Sequence, residues 1–354
     1  MSALGRWTWS EAVDRKAFAE IFAELPGRVR REPYRAALPP AAHWKALLEL
    51  PWSREFWLVE QDGRAVGRAG ASVSSSRAAT GYLGFFEVDV ESTERNAVAA
   101  MLLDRARAWL AARGVRRIYG PVDLATWFSY RFRVPIDTTG AEDAEAPFAW
   151  EPVNPPEYVR WFRRRGFAEA ERYYSQGFAV EDPALMGQVV SMSSTAYEQA
   201  RSEGFAFRAF DAARPEADLA ALHALSAEAF RESFLFEPIP FEAFRALGAS
   251  WSAQFQERLT HFVLDPDGRA AGFIHAFVDR GYVVIKTLAV RPAHRGRKLS
   301  TALLHLVLRE AGARGVHQGI SALVKRGGPS DPLGNRYEQV RGWRHEYALF
   351  TECP

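Results

Sequence analysis

A chain of 354 residues, 48% hydrophobic and 25% charged, has the balance of a globular protein with room for two domains, which excludes disorder or a fibrous repeat as its main state. Lysine plus arginine at 45 against aspartate plus glutamate at 43 leaves a formal charge of +2, a field too weak to call for nucleic acid or an anionic membrane as partner. No apolar stretch has the length of a signal-peptide core or a membrane span, and Cys353 is the single cysteine, so the expectation is a cytoplasmic protein without a disulfide or a metal.

In chain order, the pattern predicts a strand near Arg6–Trp9 and a helix over about Glu11–Ala23. Phe56-Trp57-Leu58-Val59 then leads into Asp62-Gly63, a hairpin signal because its turn needs positive φ. An apolar strand and a polar turn precede a helix carrying Ala99, Met101, Leu102, Leu103, Ala106, Trp109 and Leu110 at helical spacing, stopped by Gly114. A strand from Arg117, a long Pro-rich and acidic loop over Val134–Pro156, a helix over Glu157–Arg165 and a strand over Arg172–Val180 follow. Pro183–Ser202 reads as one connecting helix.

The same order then returns. A strand is expected at Phe205–Phe210, helices at Glu216–Ala229 and near Phe241–Gln256, and a hairpin at Asp267-Gly268. A helix with Leu299, Leu303, Leu304, Val307, Leu308 and Ala311 ends at Gly315, and a strand starts near His317. Asp62–Gly67 matches Asp267–Gly272, Gly81-Tyr82 matches Gly281-Tyr282, and Ala112–Val115 matches Ala313–Val316. Three matches in one order read as a duplicated α/β domain with a mixed sheet: residues 1–181, a connecting helix at 182–203, and residues 204–354.

The polar turn of the second copy runs Ala289-Val290-Arg291-Pro292-Ala293-His294-Arg295-Gly296-Arg297-Lys298-Leu299-Ser300-Thr301. A strand feeds a basic turn that opens directly into a helix, whose first N–H groups lack partners and favour an anion. Gly296 allows close backbone approach, while Arg295, Arg297 and Lys298 add positive charge, so pyrophosphate is the natural guest. The first copy has Val90-Glu91-Ser92-Thr93-Glu94-Arg95-Asn96 in this place, without glycine and with two glutamates, a good helix cap and a poor phosphate site. Arg163, Arg164 and Arg165 in the last turn of a helix complement its dipole, which competes with a nucleic-acid reading.

The turn resembles motif A of the GCN5-related N-acetyltransferases, a strand leading into R/Q-x-x-G-x-G/A at the start of a helix. Arg295 fills the first position, Lys298 and Ser300 stand at the later small-residue positions, and Gly296 supplies a glycine two residues early. Asn154–Tyr158 and Phe162–Phe167 in the first copy resemble the family's terminal helix. The resemblance implies two tandem acyl-CoA N-acyltransferase folds, the first degenerate and the second holding acetyl-CoA or another acyl-CoA at Arg295, Gly296, Arg297, Lys298, Leu299, Ser300 and Thr301. It places the pantetheine and thioester on Leu288, Ala289 and Val290, with the Leu288 N–H as oxyanion donor.

For the chemistry, a two-residue turn at Arg280-Gly281 sets His275 opposite Lys286, on the face of Val284 and Leu288, as a candidate base or as a satisfied strand histidine. The resemblance makes Tyr337 the candidate that protonates the leaving thiolate, with packing as the other reading. The segment Phe230–Phe241, with Glu232, Phe234 and Phe236, is expected to meet the acceptor, a small-molecule or peptide amine, or to pack the fold. The expected reaction is direct acyl transfer from CoA to an amine. Two further readings stay open: a non-catalytic acyl-CoA or ligand binder, and an aminoacyl-tRNA-dependent transferase of tandem type.

Overall fold

Asp62-Gly63 turns the chain as its residues allow: φ is 52° and 78°, and the strands on either side, β2 (Arg54–Gln61) and β3 (Arg64–Val73), pair antiparallel from Arg54↔Ser72 to Gln61↔Arg64. This is part of a computed structural model that describes residues 4–35, 38, 44, 47–48, 52–135, 146–179, 183–250, 259–331 and 341–353. The chain forms two compact units, and they are not contiguous in sequence. Unit 1 takes residues 1–173, 235–237 and 345–354, whereas unit 2 takes 174–234 and 238–344. The contiguous split at 181 and 204 therefore differs from these units, because the closing strand of each copy contributes residues to the other unit.

In unit 1 the strand order is β1 (Leu4–Thr8), β2, β3, β4 (Thr80–Val88), β5 (Arg117–Gly120) and the end of β13 (Arg341–Glu352), which also pairs with β6 (Phe132–Val134). β4 and β5 are parallel, and their neighbours are antiparallel. Helix α1 (Arg15–Val29), begun by the Asp14 carboxylate accepting from Ala17 N–H, covers one face of β3 and β4. Helix α2 (Arg95–Ala111) covers the other with Val98, Leu102, Leu103, Ala106 and Leu110, all buried. The short α3 (Pro156–Arg164) adds Tyr158, Val159 and Phe162 to this core. The arginines at its end are paired: Arg163 with Glu169 at 2.6 Å and Arg165 with Asp104 at 3.0 Å. That favours the helix-end account of this run.

Unit 2 orders its strands β7 (Ala168–Ala179, from Tyr174), β12 (Gln318–Lys325), β11 (Tyr282–Val290), β10 (Ala270–Asp279), β9 (His261–Leu264) and β8 (Ala206–Ala209). The expected connecting helix is α4 (Pro183–Ser202); its Ala196 and Ala200 pack with Leu299, Leu303 and Val307 of a later helix, Leu299–Ala313. Helix α5 (Pro215–Ala229) lies against β10 and β11, followed by α6 (Phe241–Ser250) and then α7 (Leu299–Ala313). Both Gly114 and Gly315 end their helices in the left-handed region (φ 73° and 71°), and the N–H of the next residue returns to Leu110 O and Ala311 O.

One match between the copies is not an equivalence. Gly281 sits in the two-residue β10–β11 turn, whereas Gly81 lies inside β4, opposite Ile118. By strand pairing it is Val283, opposite Gly319, that stands where Gly81 does. The β3–β4 connection of unit 1 is simply longer, which a two-residue match conceals.

Candidate active site

Strands β11 and β12 pair in parallel only from Tyr282↔Gln318 to Ile285↔Ser321, although both continue. Beyond that point one edge of β11 has no partner in β12. Arg291 N–H donates to Ala271 O at 2.8 Å, on the β10 side. Alternation therefore turns Ala289 N–H the same way and the N–H groups of Leu288 and Val290 towards the open edge. Thr287 and Leu288 are half-buried, within reach of a ligand.

At the end of β11 a short 3-10 turn, Pro292–His294, leads to Gly296 (φ 83°) and Lys298 (φ 54°), which is also the N-cap of α7. No side chain caps this helix, and its first internal bond is Ala302 N–H to Lys298 O at 3.0 Å. Among the described residues the N–H groups of Gly296, Arg297, Lys298, Leu299, Ser300 and Thr301 are bonded to nothing. Six successive donors thus stand at the positive end of a 15-residue helix, where an anion is favoured, and residues 295–298 are exposed.

The basic side chains divide their work. Arg291 pairs with Glu228 at 2.7 Å and donates through Nε to Ala270 O. Arg295 donates to Ala229 O at 3.0 Å, which fixes the turn to the carbonyl end of α5. Arg297 approaches Glu203 at 3.5 Å on the surface, and Lys298 makes no ion pair among the described residues. Lys298 thus brings the charge least committed to the fold, while Arg295 is partly structural.

His275 is displaced from its expected register. Asp279↔Tyr282 to Ala276↔Ile285 follow the turn, but His275 then opposes Thr287, because Lys286 is an extra residue bulged from β11. His275 shares a face with Val284 and Thr287, while Leu288 opposes Ile274 on the other face, against α7. The imidazole is 7% exposed, its Nδ1 lies 2.8 Å from Thr260 Oγ1, and burial, aided by Lys286, lowers its pKa from 6.5 to about 3. An imidazole so placed is a weak base, so the satisfied strand histidine is the reading its surroundings favour.

This depressed pKa has a measurable consequence. The folded chain binds the proton less readily than the unfolded chain, so the stabilisation is complete above pH 6.5 and is lost as pH falls towards 3. Between pH 6.5 and 5 the expected loss is about 2 kcal/mol, read as a lower urea midpoint. His275→Gln should flatten that decline; an unchanged pH profile would contradict the buried neutral imidazole.

The expected acceptor residues do not share one setting. Glu232 is exposed, Phe234 lies under Lys325 Nζ at 5.2 Å in unit 2, and Phe236 belongs to unit 1, its ring 5.6 Å from Trp127. The Phe236 carbonyl accepts from Arg77 at 2.5 Å. Tyr337 lies outside the described residues. Among those residues no group of His, Cys, Asp and Glu is arranged to hold a metal, and no helix is long and apolar enough to cross a membrane.

Unit 1 has the corresponding slot in another state. After Tyr82↔Tyr119, Val122 N–H donates to Leu83 O at 2.8 Å, and the Asp123 carboxylate accepts from Phe85 N–H at 2.5 Å. A Cβ on Gly84 would stand 2.1 Å from Val122 O, so the chain itself fills the space.

An open strand pair that leads into an unbonded helix start is the arrangement that the resemblance to the acetyltransferases implies. The model of the acetyltransferase (GNAT) family matches residues 17–127 and 219–330, and the chain belongs to that family, carrying its domain twice. Among solved structures it is similar to a tandem GNAT protein from the clavulanic acid biosynthesis pathway, with 13% identity and a TM-score of 0.57 over 99% of this chain and 98% of that one. A GCN5-related N-acetyltransferase from Sphaerobacter thermophilus is similar at 16% identity and a TM-score of 0.51, over 99% and 96% of the two chains. The glucosamine N-acetyltransferase region of a fungal multi-domain GH3 β-N-acetylglucosaminidase gives 12% and 0.56, this chain spanning only 38% of that protein's length. At such identities the likeness is one of fold. No curated protein sequence matches significantly.

Proposed function

We propose that the protein is an N-acyltransferase that moves an acetyl or longer acyl group from CoA to an amine, with unit 2 as the working half. The observation that carries this reading is the run of six N–H groups from Gly296 to Thr301 that have no partner among the described residues, which suits a pyrophosphate. The pantetheine arm would follow the open edge of β11. The neutral amine nitrogen attacks the thioester carbon, the Leu288 N–H receives the oxyanion charge, and collapse breaks the carbon–sulfur bond while the proton lost by the nitrogen passes to solvent water. Tyr337 is assigned to protonate the departing thiolate, by family resemblance. His275 is assigned to packing within the sheet, and the acceptor meets the segment around Glu232 and Phe234.

Calorimetric titration with acetyl-CoA should give one site per chain, since the unit 1 slot is filled by its own residues. Absence of heat at ligand concentrations of about 1 mM would sink the proposal. With a panel of primary amines, Tyr337→Phe should slow release of free CoA thiol about 10-fold or more, whereas His275→Gln should leave it within about twofold. Unchanged release in Tyr337→Phe would remove that residue from the reaction.

A further inference from the structure

The two copies hold one backbone N–H in opposite ways. Val122 in unit 1 and Leu323 in unit 2 each stand three residues beyond a matched pair, Tyr82↔Tyr119 and Val284↔Ile320. In unit 1 that N–H crosses to Leu83 O and shuts the slot. In unit 2 the Leu323 N–H is instead bonded to the Ser175 hydroxyl of β7, at 2.8 Å, and Leu323 takes a φ of 59°. A left-handed leucine is strained and persists only where its surroundings hold it. Ser175 is fully buried and supplies that hold.

We infer that Ser175 is a positioning residue that keeps the β11–β12 slot open for the acyl-pantetheine arm. Its hydroxyl takes the N–H that would otherwise return to β11 and bends β12 away just after the last paired residue, Ser321. Lys286 works in the same direction: it stands where unit 1 has Gly84, and unit 1 closes only because that position has no Cβ. The inference rests on the reading of this slot as the acyl-CoA site.

The test compares two ligands. Acetyl-CoA uses both the slot and the helix start, whereas adenosine 3′,5′-bisphosphate needs only the latter. Ser175→Ala should weaken acetyl-CoA about tenfold while the bisphosphate binds as before, and Ser175→Thr, which keeps the hydroxyl, should restore acetyl-CoA affinity. Retained bisphosphate binding also reports that the alanine variant is folded. Equal loss of both ligands, or loss of neither, would overturn the assignment of Ser175. Failure of the wild-type protein to bind either would instead overturn the acyl-CoA reading itself, and the inference with it.

Discussion

Glu87→Ala should cost unit 1 about 3–5 kcal/mol, the largest loss expected from one substitution in this protein. Glu87 is 3% exposed and receives both Nε and Nη2 of Arg30, at 2.8 and 2.5 Å, together with the Tyr158 hydroxyl at 3.0 Å. Arg68 lies nearby, 1% exposed, with Nη2 at 3.9 Å from Glu87. Truncating the carboxylate leaves two buried guanidinium groups without their nearest anion, and Asp123, which also acts on both, offsets only part of the desolvation of each. Denaturant unfolding should register the change as a lower midpoint for the transition of unit 1.

Arg68→Met provides the contrast. The Arg68 guanidinium lies 4.7 Å from the Phe22 ring and 4.5 Å from the Trp44 ring, its Nε has no partner, and burial lowers its pKa to about 10. A thioether fits among aromatic rings, and Arg30 still serves Glu87. The Phe22 carbonyl, whose helical partner would be Pro26, loses the Arg68 Nη1 donor at 2.5 Å, so the expected cost is about 1–3 kcal/mol, below that of Glu87→Ala. Should Arg68→Met prove as damaging as Glu87→Ala, the carboxylate would not be the centre of this network.

Lys298→Glu should weaken acetyl-CoA about 100-fold, the largest expected effect on binding. The substitution removes an exposed cation and sets an anion before six unbonded N–H groups, where the helix dipole already favours it as an internal competitor of phosphate. Lys298→Gly separates charge from conformation. At φ 54° glycine relieves a left-handed residue, so stability should rise by about 1 kcal/mol while acetyl-CoA affinity falls about tenfold. The loss should shrink as salt is raised, because the lysine is exposed. A glycine variant with wild-type affinity would show that the backbone alone holds the anion.

The sequence carried the parts of the fold that local chemistry dictates. Asp62-Gly63 announces its turn because few residues accept its dihedral angles, and Gly114 and Gly315 end their helices for a related reason. The turn from Arg295 to Thr301 could be read as an anion cradle because a helix start exposes donors wherever it occurs. That two copies of one fold make up the chain was likewise readable, since each repeats the same local signals in the same order.

Tertiary structure decided what depends on distant neighbours. The Lys286 bulge moved His275 away from its expected partner, and no pattern of alternation can show one extra residue accommodated by packing. Arg295 looked like a free phosphate ligand, yet its guanidinium is partly used by the Ala229 carbonyl. The state of each slot turns on where one N–H finds its acceptor, Leu83 O in unit 1 and Ser175 Oγ in unit 2. Hydrogen bonds inside a protein must be satisfied somewhere, but local sequence does not say where, and here that choice separates a filled slot from an open one.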